Sequence, residues 1–85
     1  MMQRLLMIED DARLAAMVSR YLEQSGFPVD VVGDGATGLA RLMQEGAITP
    51  VDLVILDLML PGMDGLEVCR RIRALPAPMA QVPVL

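Results

Sequence analysis

The residues able to do chemistry in this sequence are acids. Glu9, Asp10 and Asp11 stand in a row, and Asp57 closes an apolar run, Leu53-Val54-Ile55-Leu56. Adjacent carboxylates repel one another, and a fold normally keeps them apart unless they share a cation. One of the three can instead cap the helix that follows, because an aspartate there meets free N–H groups and the positive end of the helix dipole. Asp11 and Asp10 both fit that role. Asp57 is placed differently. The run from Leu53 to Leu56 reads as a strand buried on both faces, and open α/β sheets put their ligand chemistry at the carboxyl end of such a strand. After Leu58-Met59-Leu60, the breakers Pro61, Gly62 and Gly65 turn the chain away from it.

What is missing narrows the chemistry further. The sequence has no histidine and no lysine: all seven basic residues are arginines. That removes an imidazole base, a phosphohistidine, a histidine-ligated zinc site, a Schiff base and a phosphate-binding loop of the G-x-x-x-x-G-K type. A net charge of −4 argues against nucleic-acid binding through the surface as a whole. The apolar fraction of 54% excludes disorder, and with 85 residues the chain makes one small domain at most. Its apolar runs are too short to span a membrane, and three acids follow Leu5-Leu6-Met7-Ile8 where a secretory signal would stay apolar. A cytoplasmic location is expected, and the single cysteine, Cys69, agrees with it. The chemistry left is that of carboxylates and whatever neutralises them.

The elements that must position these acids alternate. Arg4 to Ile8 reads as a first strand, which brings Glu9 and Asp10 to its carboxyl end. Ala12 to Gln24 reads as a helix with Leu14, Val18, Tyr21 and Leu22 on its apolar face and Met17 off that stripe, closed by Ser25-Gly26. Tyr21 and Phe27, the only aromatics, are expected to fill core. Val29 to Val32 is a second strand carrying Asp30 near an edge. Asp34-Gly35 opens a second helix to about Glu45, with Ala36, Leu39, Ala40 and Met43 buried. Gly38 inside it costs about 1 kcal/mol relative to alanine, so that helix must lean on tertiary packing. Gly46 to Pro50 is a loop, Leu53 to Leu56 the third strand, and Gly65 to about Leu75 a third helix. That helix buries Leu66, Cys69, Ile72 and Leu75, with Cys69 a small core hydrophobe, and it ends in Arg70, Arg71 and Arg73, cations suited to a helix C-terminus and a solvated face. Pro76 to Gln81 connects to a fourth strand, Val82 to Leu85. The β-α-β-α-β-α-β order implies a parallel sheet with helices on both faces. Neighbouring parallel strands would then set Glu9, Asp10 and Asp57 at one level.

With these elements in place the sequence resembles the receiver domain of two-component response regulators. The resemblance is carried by Leu6-Met7-Ile8-Glu9-Asp10-Asp11, by Val54-Ile55-Leu56-Asp57-Leu58-Met59-Leu60-Pro61-Gly62-Met63-Asp64-Gly65, and by Val82-Pro83-Val84-Leu85. The run from Asp57 to Gly65, with Leu66-Glu67-Val68-Cys69-Arg70-Arg71-Ile72-Arg73 after it, is most similar to the OmpR/PhoB group of DNA-binding transcription regulators. The resemblance implies a flavodoxin-like, doubly wound parallel sheet, a phosphoacceptor role for Asp57 and a sensor histidine kinase as donor. It also implies a divalent cation, magnesium, held by Glu9, Asp10 and Asp57 together with the backbone carbonyl of Met59. The implied function is signal reception rather than enzymatic turnover, with DNA reached only through a downstream domain. Magnesium wants about six hard oxygen ligands, and a cation between two anions offsets their repulsion during phosphoryl transfer.

Where the sequence departs from that pattern, the departures set further expectations. The family has a hydroxyl residue just after the fourth strand and a lysine at the end of a fifth, and neither is present among these residues. Residues 1–85 are therefore expected to be the N-terminal (βα)3β portion of a (βα)5 receiver domain, lacking the fourth helix, the fifth strand and the fifth helix. Val82 to Leu85 would then be an open apolar edge, inviting self-association or a partner that supplies the missing half. A rival of another class, a metal-dependent phosphohydrolase of the haloacid-dehalogenase type, needs Asp-x-Asp, and here Met59 holds the second position. A second rival is a binding scaffold whose acids no longer accept phosphoryl groups.

Overall fold

In the computed structural model, residues 3–44, 51–57 and 59–85 are described. The strands β1 (Leu5–Ile8), β2 (Val29–Val32) and β3 (Leu53–Leu56) form a parallel sheet in the order β2-β1-β3. The helices are α1 (Ala12–Gln24), α2 (Gly35–Gln44) and α3 (Gly65–Arg73). The expected end of α2 at Glu45 and the loop from Gly46 to Pro50 lie outside the described residues, as does Leu58.

The strand buried on both faces is β1, not β3. All four β1 residues are buried, because β1 lies between two strands and under helices on either side. In β3 only Val54 is buried and its neighbours are half-buried. Leu6, Ile8, Val32 and Val54 point into one core with Leu39 and Leu42 of α2 and Val68 and Ile72 of α3. Ile8, Val54, Val68 and Ile72 are wholly withdrawn from water, and each contributes about 1.5–3 kcal/mol of burial free energy. Leu5 and Met7 face the other way and are covered from the side of α1, where Leu22 and Leu5 line one cleft.

The buried helix faces differ from the expected ones for a common reason. On α1 the buried residue is Ala15, with Val18 and Leu22 half-buried, whereas Leu14 is exposed and Tyr21 is 69% exposed rather than core; Met17, off the expected stripe, is exposed as well. On α2 the face is Gly35, Gly38, Leu39 and Leu42, leaving Ala36, Ala40 and Met43 exposed. On α3 it is Gly65, Val68 and Ile72; Cys69 and Leu75 are half-buried and Leu66 is exposed. Small residues stand where each helix comes closest to its neighbour. A Cβ on Gly38 would lie 2.5 Å from Cδ1 of Ile8, and one on Gly35 would lie 2.5 Å from Cγ2 of Val68. The helical cost of Gly38 is thus the condition for α2 to press against Ile8, the residue before Glu9.

The fourth strand is reduced to a single bridge. Val84 pairs in parallel with Val54 on the far side of β3. Val54 N–H donates to Pro83 O at 2.9 Å, Leu85 N–H to Val54 O at 2.8 Å, and Leu56 N–H to Leu85 O at 3.1 Å. A 3-10 turn, Met79–Gln81, which the sequence did not suggest, stands just before it.

Candidate metal and phosphoacceptor centre

Both strands that carry the acids run on by one hydrogen-bonded step past their last residue. Glu9 N–H donates to Val32 O at 3.0 Å, and Asp57 N–H donates to Ile8 O at 3.1 Å. Glu9 therefore hangs from β2 and Asp57 from β1, so both are fixed by the sheet rather than by loops. Asp11 turns away from them and caps α1. Its Oδ1 accepts from the N–H groups of Arg13 (3.0 Å) and Leu14 (3.1 Å), which decides the cap between Asp10 and Asp11. The Asp11 N–H donates to Oε2 of Glu9 at 3.1 Å.

Glu9, Asp10 and Asp57 meet as the fold requires: one carboxylate oxygen from each lies within 4.8 Å of the others. Glu9 and Asp57 are half-buried and Asp10 is exposed. Among the described residues this is the one group of three potential metal ligands, and no arginine there forms an ion pair with any of its members. The crowding shows in Glu9. The Asp11 N–H is the largest single influence and favours its ionised form. Partial burial, the charges of Asp57 and Asp10 and a hydrogen bond shared with Asp57 together outweigh it and raise the Glu9 pKa above its ordinary value. Three hard oxygen donors on rigid backbone, mutually repelling and uncompensated, suit a hard divalent cation that keeps part of its water shell.

Met59 lies two residues beyond Asp57. Its N–H donates to Asp57 Oδ1 at 3.1 Å, and its side chain is 85% exposed, away from any packing role. This amide was not among the sequence-derived site groups, and only the tight turn after Asp57 could have hinted at it. It holds one Asp57 oxygen in place. The turn then leads through Gly62, at φ +81°, to Asp64, whose Oδ1 caps α3 by accepting the Glu67 N–H at 2.9 Å.

Residues 5–85 match the family model of the response regulator receiver domain. The chain belongs to that family. The DNA-binding response regulator MtrA of Mycolicibacterium paratuberculosis is 49% identical over 74 residues, which are 87% of this chain and 31% of MtrA. The sensory transduction protein RegX3 of Mycolicibacterium smegmatis is 43% identical over 84 residues, 99% of this chain and 33% of RegX3. This receiver chain thus spans about a third of the length of those curated relatives. Among solved structures, the receiver domain of a sensor histidine kinase from Pseudomonas aeruginosa PAO1, with a magnesium ion coordinated in its active-site cleft, superposes with a TM-score of 0.87. It is 26% identical, and the match covers 99% of this chain and 65% of that one. The α/β sheet is accordingly the flavodoxin-like fold of receiver domains. Among the described residues no helix is long and apolar enough to cross a membrane.

Proposed function

We propose that this chain is a phosphoacceptor module in two-component signalling and that Asp57 accepts the phosphoryl group. An Asp57 carboxylate oxygen forms a bond to phosphorus as the phosphorus–nitrogen bond of a sensor kinase's phosphohistidine breaks. The electron pair of that bond stays on the imidazole nitrogen, and an acyl phosphate remains on Asp57. The Met59 N–H donates to Asp57 Oδ1 and so orients the carboxylate. Glu9, Asp10, Asp57 and the Met59 carbonyl are the groups that would hold magnesium. When bound, the ion offsets the charge between the incoming phosphoryl oxygens and the carboxylates.

The observation that carries this reading is the convergence of three carboxylates, unpaired with any arginine among the described residues, at the ends of adjacent parallel strands in a receiver chain. A phosphohydrolase of the Asp-x-Asp type would need a proton donor two residues after Asp57, and Met59 has none to give. The output of the signal is proposed to be transcriptional, through a DNA-binding domain beyond the receiver portion, because MtrA is named as DNA-binding and is about three times as long. Incubation with acetyl phosphate, read by intact mass, tests the acceptor directly. One phosphoryl adduct is expected with magnesium, and none in EDTA or in Asp57→Ala. An adduct that persists in Asp57→Ala would overturn the assignment.

A further inference from the structure

Two hydrogen bonds suspend the acid centre, and both end on residues that lie under α2. Asp57 hangs from the Ile8 carbonyl at 3.1 Å and Glu9 from the Val32 carbonyl at 3.0 Å. Ile8 and Val32 are partners across the β1–β2 pair, and both are buried in the core. They are also the residues that face Gly38. A Cβ on Gly38 would stand 2.5 Å from Cδ1 and 2.9 Å from Cγ1 of Ile8, and 3.5 Å from Cγ2 of Val32. The three nearest atoms it would meet thus belong to the two residues whose carbonyls hold the acids.

Carbon atoms settle about 3.5–4.0 Å apart, so a side chain at position 38 would drive Ile8 away by about 1 Å. Turning χ2 of Ile8 would move Cδ1 but not Cγ1, and χ1 is stiff in a β-branched residue. The core beyond Ile8 is filled by Val54, Val68 and Ile72, all wholly withdrawn from water, and close packing leaves little slack there. Nor can α2 lift away without exposing Leu39 and Leu42, which are buried on the same face as Gly38. The displacement therefore passes to the β1 backbone, and the Ile8 carbonyl moves with it. Gly35, one turn earlier, is the contrast within the same helix. A Cβ there would stand 2.5 Å from Cγ2 of Val68, a residue of α3 that holds neither acid.

We propose that Gly38 is a positioning residue of the acid centre: the room left by its missing side chain lets Ile8 and Val32 hold Asp57 and Glu9 in place. The proposal rests on the reading of those acids as a magnesium site. Calorimetric magnesium titration and amide hydrogen exchange in EDTA, both on the full-length protein, test it. They compare the parent with Gly38→Ala, Gly35→Ala, and Gly38→Ala combined with Ile8→Val. Alanine favours helix over glycine, so a merely structural glycine would leave metal affinity alone in either single variant. Gly38→Ala should weaken magnesium binding about tenfold, the lower end of what losing a supporting group costs. It should also speed exchange of the Asp57 and Glu9 N–H groups. Gly35→Ala should change neither. Ile8→Val removes the nearer of the two crowded atoms and should bring both readouts back toward the parent. A folded Gly38→Ala with the parent's affinity or exchange, equal losses in Gly35→Ala, or no recovery in the double variant overturns the proposal. Should Gly38→Ala fail to fold, the double variant decides. Parent-like exchange at both amides supports the positioning, and failure to fold or faster exchange overturns it. A parent that binds no magnesium refutes the reading of the site instead, and exchange at the two amides still decides the positioning.

Discussion

At the amino ends of the strands, Asp30 stands between Arg4 at 3.5 Å and Arg41 at 3.9 Å, and Asp52 accepts the Arg4 N–H at 2.7 Å. At the carboxyl ends, Glu9, Asp10 and Asp57 crowd within 4.8 Å of one another, and among the described residues no arginine pairs with them. β3 has an acid of each set at its two ends, Asp52 before it and Asp57 after it. Among the described residues, arginines supply counter-charge at one end and not at the other. A cluster of like charges in that state is stabilised by a cation from solution.

The largest effect expected from this contrast is on metal affinity. Asp10→Asn should weaken magnesium binding about tenfold or more, since it removes a hard oxygen ligand. Asp30→Asn should leave the affinity unchanged. Isothermal calorimetry on the two variants measures this, and equal weakening by both would erase the distinction between the two ends.

A smaller effect, of opposite sign at the two ends, is expected in stability without metal. In EDTA, Asp10→Asn should raise the melting temperature by relieving repulsion. Asp30→Asn should lower it slightly, because half-exposed ion pairs such as those of Asp30 are worth about 0–1 kcal/mol. Adding magnesium should reverse the advantage of Asp10→Asn, because the parent then gains the ligand free energy the variant has lost. Thermal melts in EDTA and in magnesium supply all four comparisons.

The smallest effect is on pH dependence, and it contrasts two glutamates. The pKa of Glu9 lies above the ordinary value of 4.5, whereas hydrogen bonds from Arg71 and Arg70 hold that of Glu67 below it. Protonated Glu9 therefore favours the folded chain. Its increment is full below 4.5 and disappears as pH rises through the folded-state value. The increment from Glu67 has the opposite course: it is present above 4.5 and lost as pH falls through its folded-state value. Carboxyl chemical shifts followed through pH, assigned with Glu9→Gln and Glu67→Gln, should show Glu67 losing its proton first. Magnesium should draw the Glu9 transition downward and leave that of Glu67 in place.

Much of this arrangement was legible in the sequence because two kinds of signal agree. The bounds of α1, β2 and β3 follow from apolar periodicity bracketed by Asp11, Gly26 and Asp57. Glu9, Asp10 and Asp57 follow from acids at strand ends, where alternation and parallel pairing leave few places for a side chain to go. The helix faces were less legible. Choosing the largest apolar residues selected Leu14, Tyr21, Met43 and Leu66, yet close packing put Ala15, Gly35, Gly38 and Gly65 at the contacts. The choice between Asp10 and Asp11 as cap and the Met59 amide on Asp57 both depend on backbone directions. Residue type does not encode those.

A magnesium titration followed by backbone amide chemical shifts tests most directly whether the carboxyl ends of β1 and β3 form one cation site. The account predicts shifts concentrated at Glu9, Asp10, Asp57 and Met59, saturating together with one affinity and abolished in Asp10→Asn. Shifts spread over the surface acids, or centred on Asp30 and Asp52, would contradict it.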